Sequence, residues 1–234
     1  MDGNGRWAES KGLPRIEGHR VGVDIVRSIV QACLEKKISV LSLFAFSREN
    51  WARPSDEVEF LMQLFIIVLE QEVARLNEHG VCLRFIGDRS QLSKELCAKM
   101  DAAEALTSQH STLILNIAVN YTGKWDILQA TRQIVQDALE GKLLPSDLNE
   151  VMFENYLSTR SLPNPDLLIR TSGEQRVSDF YLWQMAFTEF YFTEVMWPEF
   201  TVEEFENALA VYSNRERRYG LISKQLNDQK GRHV

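Results

Sequence analysis

The stretch Thr112-Leu113-Ile114-Leu115-Asn116-Ile117-Ala118-Val119-Asn120 is apolar almost throughout and rich in branched side chains. Because it does not alternate between polar and apolar positions, it is typical of a strand buried on both faces, as in a parallel sheet. Similar short runs lie on either side of it along the chain. They cover residues 39–46, 81–87 and 166–171, and a fifth strand is predicted at residues 189–192.

Longer segments with helical periodicity separate these strands. They cover residues 18–37, 55–79, 91–109, 123–140 and 201–218, with a short helical piece at 151–156. Alternation of strands and helices is the pattern of an α/β domain. We therefore predict an α/β fold with a single domain, residues 1–220, in which helices flank a central, mostly parallel sheet. Residues 221–234 are predicted to form a polar, mobile tail.

The composition limits the possible functions. The chain has 234 residues, of which 44% are hydrophobic and 25% charged, as expected for one globular domain. Its formal net charge of -7 argues against bulk binding to nucleic acid, so no nucleic-acid partner is expected. The three cysteines lie far apart and are predicted to be reduced. There is no secretory signal, and the longest apolar stretch is about half the length that a bilayer-spanning helix needs, so the predicted compartment is the cytoplasm.

The first residues, Met1-Asp2-Gly3-Asn4-Gly5-Arg6-Trp7, form the first candidate site. Gly3 and Gly5 permit backbone conformations in which consecutive amides converge on an anion, and Arg6 adds a charged group beside them. A carboxylate at Asp2 would repel a phosphate unless a divalent cation lay between the two, and Mg²⁺ is commonly held in this way. Taken alone, Gly-Asn-Gly more often forms only a plain turn.

Two further groups of residues can complete such a site. Arg15 and His19 are one helical turn apart, so both can face the same anion, although a solvated helix start is the alternative. The segment Arg170-Thr171-Ser172-Gly173-Glu174-Gln175-Arg176-Val177-Ser178 begins at the carboxyl end of an apolar strand, where α/β sheets bind ligands. Its two arginines and its last serine can bind a second diphosphate. For Arg170, a strand-end ion pair is the alternative.

With both clusters present, the sequence resembles the cis-prenyltransferases, and most closely the bacterial undecaprenyl diphosphate synthases. The resemblance rests on ordered blocks that cover nearly the whole chain. These are residues 1–7, Phe44-Ala45-Phe46-Ser47-Arg48-Glu49-Asn50-Trp51-Ala52-Arg53-Pro54, Asn120-Tyr121-Thr122-Gly123-Lys124-Trp125-Asp126, residues 169–178, and Glu189-Phe190-Tyr191-Phe192 with Asn214-Arg215-Glu216-Arg217-Arg218-Tyr219-Gly220. The family condenses an allylic diphosphate, usually farnesyl diphosphate, with successive isopentenyl diphosphates and makes each new double bond cis.

The resemblance implies an Mg²⁺-dependent transferase whose product is a long polyprenyl diphosphate. A C55 undecaprenyl diphosphate, the precursor of the lipid carrier for cell-wall peptidoglycan synthesis, is expected. Asp2 looks like the catalytic, Mg²⁺-binding acid, and Glu189 is associated with the metal and with the subunit contact. The residues that resemble the allylic site are Asn4, Gly5, Arg6, Arg15 and, nearby, His19, and Gly3, Trp7 and Arg53 are also expected to bind substrate. Those that resemble the isopentenyl diphosphate site are Arg170, Arg176 and Ser178.

Further roles come from the same resemblance. Ser47 and Asn50 stand where the family places residues that help to remove a proton, and Trp51 would shape that pocket. A partner subunit would complete the isopentenyl site with Arg218 and Gly220, which implies a homodimer. The helix at 58–69 would line an apolar tunnel for the growing chain, although simple burial also explains its apolar faces. The predicted tunnel residues are Ala45, Leu64 and, at its floor, Leu113. The product would pass to a membrane from an enzyme peripheral at its inner surface.

Three positions depart from the family pattern. Ser172 stands where a second glycine is usual, Gln175 where many bacterial members carry histidine, and Asp179 where asparagine is common. We expect a less mobile loop, less dependent on pH near neutrality, and a slightly weaker second diphosphate site. The family also carries an apolar strand ahead of the aspartate motif, so residues preceding Met1 are expected in the natural chain.

Other classes of protein fit the sequence less well. A non-catalytic partner subunit of this family would lose the aspartate motif, which is present here. A generic nucleotide-binding α/β protein would carry G-x-G-x-x-G or G-x-x-x-x-G-K-[ST], and neither motif occurs. The trans-prenyltransferases also use diphosphates, but they are all-helical and rely on D-D-x-x-D, which is absent. An active cis-prenyltransferase is the function that the sequence favours.

Overall fold

The computed structural model describes residues 1–216, in which seven α-helices alternate with five β-strands. The helices are α1 (Asn4–Ser10), α2 (Arg15–Glu35), α3 (Ser55–Glu78), α4 (Lys94–Thr107), α5 (Gly123–Leu139), α6 (Glu150–Glu154) and α7 (Val202–Ser213). The strands are β1 (Val40–Ser47), β2 (Val81–Ile86), β3 (Leu113–Tyr121), β4 (Leu167–Arg170) and β5 (Glu189–Phe192). All five predicted strands are found. Helix α1 was not predicted, because Gly3 and Gly5 at its start favoured a turn.

The strands pair in parallel, as predicted. Strand β3, the apolar stretch, is central in a sheet of order β1-β3-β2, and β4 pairs with β5 in a second parallel sheet. The predicted central, mostly parallel sheet is therefore confirmed, and β4 and β5 form a separate two-stranded sheet. No strand within residues 1–216 pairs with the outer edge of β1 or of β4, and both of these strands line the same cavity.

Two apolar clusters hold these layers together. The larger one packs α2, α3 and α4 against the three-stranded sheet, with Leu83, Leu96 and Leu115 at most 2% exposed. The smaller one is aromatic and lies near the carboxyl end of β1 and β3. There Phe180 stacks on Phe44 with 4.5 Å between ring centroids, and it also packs on Tyr121. This cluster fixes the segment that follows residue 177 against the sheet.

A buried carboxylate adds polar contacts to the same region. Asp126 in α5 is 1% exposed, and it accepts hydrogen bonds from Tyr121 Oη (3.0 Å), Ser158 N (2.8 Å) and Gln184 Nε2 (3.2 Å). A buried carboxylate is tolerated when donors surround it in this way. Asp126 thereby ties the end of β3 to two loops that flank the cavity.

Candidate active site

A cavity of about 1200 Å³ opens between β1, β4, α2 and α3. Its apolar wall includes Val26, Ile29, Leu41, Leu43, Ala45, Leu61, Leu64 and Phe65. The polar residues that line it include Asp2, Asn4, Arg6, Arg15, His19, Ser47, Asn50, Arg53, Arg170 and Ser178. Arg6 and Arg15 are nearly half exposed, so the charged groups lie at the opening. The volume exceeds that of ordinary small-molecule pockets, about 300–1000 Å³, and it includes space beside the open edges of β1 and β4.

Asp2 is held at this opening by its backbone. Its amide donates to Thr171 Oγ1 (2.9 Å), and its carbonyl accepts from the Thr171 hydroxyl (2.9 Å) and from Trp197 N (3.0 Å). Gly3 follows with a φ of 103°, a left-handed conformation that glycine adopts readily, and α1 begins at the next residue. The Asp2 carboxylate accepts from Arg170 Nε at 2.8 Å.

Arg170 joins Asp2 to the second predicted cluster. Its Nη1 donates to Ser178 Oγ (2.9 Å) and to the carbonyl of Arg176. Its side chain is 12% exposed, whereas that of Asp2 is 40% exposed. Arg170 therefore forms an ion pair at the end of its strand, with Asp2, as its alternative interpretation predicted. This pair lies at the cavity opening. A diphosphate bound there would meet a guanidinium that three protein groups already orient.

A nearly buried carboxylate, Glu57 in the first turn of α3, organises the other side of the opening. It accepts hydrogen bonds from Arg15 Nε (3.0 Å), Arg53 Nη1 (3.0 Å) and His19 Nε2 (3.3 Å). Burial alone would raise the pKa of Glu57, but its cationic neighbours lower it, so Glu57 is ionised. Burial lowers the pKa of His19 although Glu57 opposes this shift, so burial favours the neutral imidazole, which still hydrogen-bonds to Glu57.

Arg6 faces the loop that follows β4. Its Nη2 donates to Glu174 Oε1 (2.9 Å) and to the Ser172 hydroxyl, and its Nη1 donates to the Ser172 carbonyl (3.4 Å). Glu174 also pairs with Arg176 at 2.5 Å. One carboxylate thus pairs with an arginine from each of the two predicted diphosphate clusters.

Ser47 and Asn50 lie at the end of β1 and line the cavity. Asn50 Oδ1 accepts from Ser47 N at 3.0 Å, and the Ser47 side chain caps the following turn in return. This capping box accounts for their spacing without a ligand. Their role in proton removal stays a prediction.

Several predicted site residues lie outside the cavity wall. Trp7 donates to Glu199 Oε1 (2.9 Å), and Trp51 donates to Asn120 Oδ1 (2.8 Å) while it packs edge-on against Phe46. These contacts give both tryptophans a structural role near the site. Arg218 and Gly220 lie outside the described residues.

Two more of these residues are placed differently from expectation. Leu113 is fully buried at the start of β3, in register with Val81, and it lies in the core without lining the cavity. A direct role as tunnel floor therefore does not match its position in this structure. Glu189 accepts from Arg215 at 2.8 Å and is in register with Leu167, at the other end of β4 from Arg170.

Among the described residues, few carboxylates are available for the predicted Mg²⁺ near Asp2. Within residues 1–216, no three His, Cys, Asp or Glu side chains gather into a metal-binding group. Asp2 supplies one partly exposed carboxylate beside groups suited to phosphate, and Mg²⁺ is commonly held by one or two carboxylates together with phosphate oxygens and water. The residues therefore fit Mg²⁺ when a diphosphate is bound with it.

Sequence reasoning missed the two carboxylates that organise the arginines. Glu57 lies four residues after Arg53, across the start of α3, and this spacing was a usable signal for their pairing. Its contacts with Arg15 and His19 join different helices and could not be read from spacing. Asp179 was expected to add charge near the second diphosphate, but its carboxylate accepts from the amide of Lys124 in the first turn of α5. A helix start stabilises negative charge, so this contact offsets part of that charge.

Comparisons with known proteins point to one family. A family model described as "Putative undecaprenyl diphosphate synthase" matches residues 1–220. A curated protein of Legionella pneumophila (strain Philadelphia 1) is 57% identical over 224 residues, covering 96% of this chain and 94% of that protein. A curated protein of Coxiella burnetii is 49% identical over 226 residues, covering 97% and 95%. Both are named ditrans,polycis-undecaprenyl-diphosphate synthase, (2E,6E)-farnesyl-diphosphate specific.

Solved structures share the fold. Lavandulyl diphosphate synthase from Lavandula x intermedia, in complex with dimethylallyl diphosphate, has a TM-score of 0.91 and 38% identity, covering 94% of this chain and 95% of that chain. A probable undecaprenyl diphosphate synthase from Campylobacter jejuni has a TM-score of 0.76 and 35% identity, covering 86% and 92%.

Proposed function

This chain belongs to the prenyltransferase family of undecaprenyl diphosphate synthases, and we propose that it condenses isopentenyl diphosphate repeatedly onto farnesyl diphosphate with cis geometry. The product is a long polyprenyl diphosphate, C55 undecaprenyl diphosphate, a precursor for cell-wall synthesis. One observation carries the proposal: Asp2 and Arg6 meet Arg170 and Ser178 at the opening of one apolar cavity. The reaction needs two diphosphates side by side and an apolar space for the growing chain.

Each cycle breaks the C1–O bond of the allylic diphosphate, and the diphosphate leaves with the electron pair. A new bond forms between that C1 and C4 of isopentenyl diphosphate, and a proton is lost from C2 of the latter. Arg6, Arg15 and Arg53 stabilise the charge that develops on the leaving diphosphate. Arg170 and Ser178 hold the other diphosphate, so that the two reacting carbons are brought together.

Asp2 is proposed to bind Mg²⁺ together with diphosphate oxygens, where the ion would act as a Lewis acid toward the leaving group. Arg170 already holds the Asp2 carboxylate, so its orientation does not depend on the ligand. Ser47 and Asn50 are proposed to assist proton removal, and Glu189 is proposed to be associated with the metal and with the subunit contact.

We also propose a homodimer in which Arg218 and Gly220 complete the partner's isopentenyl site. The product would leave for a membrane, with the enzyme peripheral at its cytoplasmic surface. Among the helices of the described chain, none combines the length and apolarity needed to cross a bilayer.

Release of inorganic pyrophosphate tests the proposed reaction. Purified protein with farnesyl diphosphate, isopentenyl diphosphate and Mg²⁺ is expected to release pyrophosphate, and omission of either substrate or addition of EDTA to stop it. Release from farnesyl diphosphate alone would instead indicate a hydrolase. No release with both substrates present would contradict the proposal.

Glu57→Gln is expected to raise the KM for farnesyl diphosphate by about tenfold, because a neutral amide cannot hold Arg15, Arg53 and His19 in one arrangement. The KM for isopentenyl diphosphate is expected to change less than twofold. Glu72→Gln is the matched control, since Glu72 also lies on α3 and pairs with Arg27, away from the cavity. Equal effects of the two variants would remove Glu57 from the allylic site.

Product length is expected to respond to the cavity wall. Leu64→Trp fills the cavity and is expected to shorten the products, whereas Ile67→Trp, on the 45% exposed face of α3, leaves them unchanged. Chromatography of dephosphorylated products measures this. Unchanged lengths in Leu64→Trp would show that the chain grows elsewhere.

A further inference from the structure

The loop after β4 contains a strained residue beside the proposed site. Ser172 has a φ of 76°, in the left-handed region that residues with a Cβ seldom adopt, and it is 7% exposed. A glycine would adopt this backbone conformation without strain. A strained, buried non-glycine residue persists when its surroundings impose it, and such residues cluster at functional sites.

The backbone of Ser172 does not need a serine. Its amide donates to Val195 O at 2.8 Å and its carbonyl accepts from Arg6 Nη1 at 3.4 Å, and glycine would provide both groups. The hydroxyl is what glycine lacks, and this oxygen accepts a hydrogen bond from Arg6 Nη2. The side chain also lies directly against Gly3, where an added Cβ would be 3.1 Å from the Ser172 Cβ.

We propose that Ser172 is a positioning residue that fixes the guanidinium of Arg6 for the allylic diphosphate. The inference rests on the proposed function. It adds a role for Ser172, a position where glycine would be less strained. Together with Glu174, the serine holds Nη1 and Nη2 of Arg6 from one side. A free arginine side chain loses much rotamer freedom when it binds a phosphate, and an arginine that is already held loses less.

Three variants separate the hydroxyl from the backbone strain. Ser172→Ala removes the hydroxyl and keeps the strain, and Ser172→Gly removes both. Ser161→Gly is the control, because Ser161 has a φ of 68° on an exposed loop outside the cavity. The measurements are the Kd for farnesyl diphosphate by calorimetry, the KM of each substrate, and Tm.

Both Ser172 variants are expected to raise the Kd for farnesyl diphosphate roughly threefold to tenfold, the net effect of one ordinary hydrogen bond, because Ser172 acts on the ligand only through Arg6. The KM for isopentenyl diphosphate is expected to stay within twofold. Because glycine relieves the strain, Ser172→Gly is expected to have a higher Tm than Ser172→Ala, so that unfolding does not explain its weaker binding. Ser161→Gly is expected to leave the Kd unchanged. In an Arg6→Ala background, Ser172→Gly is expected to have no further effect.

An unchanged or lower Kd for farnesyl diphosphate in Ser172→Gly would overturn the inference, as would an equal loss of isopentenyl diphosphate binding. If the wild-type protein turns over both substrates but the Ser172 variants bind farnesyl diphosphate as tightly as the wild type, the inference fails and the proposed function stands. If the wild type has no turnover, the proposed function fails. Titration with inorganic pyrophosphate then still tests whether Ser172 positions Arg6, with the same threefold to tenfold loss expected.

Discussion

Asp2→Ala is expected to lower kcat for polyprenyl synthesis by at least about 1000-fold, equivalent to roughly 4 kcal/mol of lost transition-state stabilisation. The Asp2 carboxylate is proposed as a protein ligand of Mg²⁺ at the cavity opening. Without the metal, the charge that develops on the leaving diphosphate would be less well compensated. The backbone of Asp2 keeps its bonds to Thr171 and Trp197 in this variant, so the loop is expected to remain in place. Steady-state turnover across a range of Mg²⁺ concentrations measures the effect.

Asp101→Ala is the control for this variant. Asp101 lies on α4, pairs with Arg89, is 67% exposed and lies outside the cavity, so its loss is expected to leave kcat within twofold. Circular dichroism and Tm establish that both variants are folded. Wild-type turnover in folded Asp2→Ala would remove Asp2 from the mechanism.

Arg170→Ala is expected to lower kcat/KM for isopentenyl diphosphate by about 100- to 1000-fold. This side chain orients Asp2 and holds Ser178 and the carbonyl of Arg176, so its loss disturbs both diphosphate clusters. Arg170→Lys is expected to recover at most about tenfold, because an ammonium is a point charge and cannot reproduce the planar set of donors.

Arg27→Ala provides the comparison for Arg170. Arg27 on α2 pairs with Glu72 and Asp24 outside the cavity, and we expect kcat/KM to change less than twofold. Initial rates at varied isopentenyl diphosphate and saturating farnesyl diphosphate measure both variants. If Arg170→Lys were as active as the wild type, charge alone would suffice and the proposed orienting role would be wrong.

Much of the fold could be predicted from the sequence, because buried parallel strands leave a strong signal. Strand β3 has a nearly continuous apolar run, and the short strand β5 was placed at the same residues as in the structure. Helix α1 was not predicted because Gly3 directly precedes it and Gly5 lies in its first turn, where glycine weakens local helix propensity. Its position depends instead on close packing against α2, since a Cβ at Gly18 would lie 1.9 Å from the Asn4 carbonyl oxygen.

The sequence named candidate residues for the site, but it did not predict which of their side chains contact one another. Asp2 and Arg170 were assigned to separate diphosphate clusters, and their ion pair across 168 positions cannot be inferred from local pattern. Glu57 was visible only as an acid in a helix start, although it holds three partners. Leu113 was assigned by resemblance to the tunnel floor, while its burial between neighbouring strands depends on the sheet order.

The central claim is that one apolar cavity with two diphosphate clusters at its opening builds a long chain by cis addition. Incubation with farnesyl diphosphate, labelled isopentenyl diphosphate and Mg²⁺, followed by mass and NMR analysis of the dephosphorylated product, tests it most directly. We predict a polyprenol of about C55 in which every added unit carries a cis double bond, and no labelled product in EDTA. Added units with trans double bonds, or labelled product that stops after a single condensation, would contradict the claim.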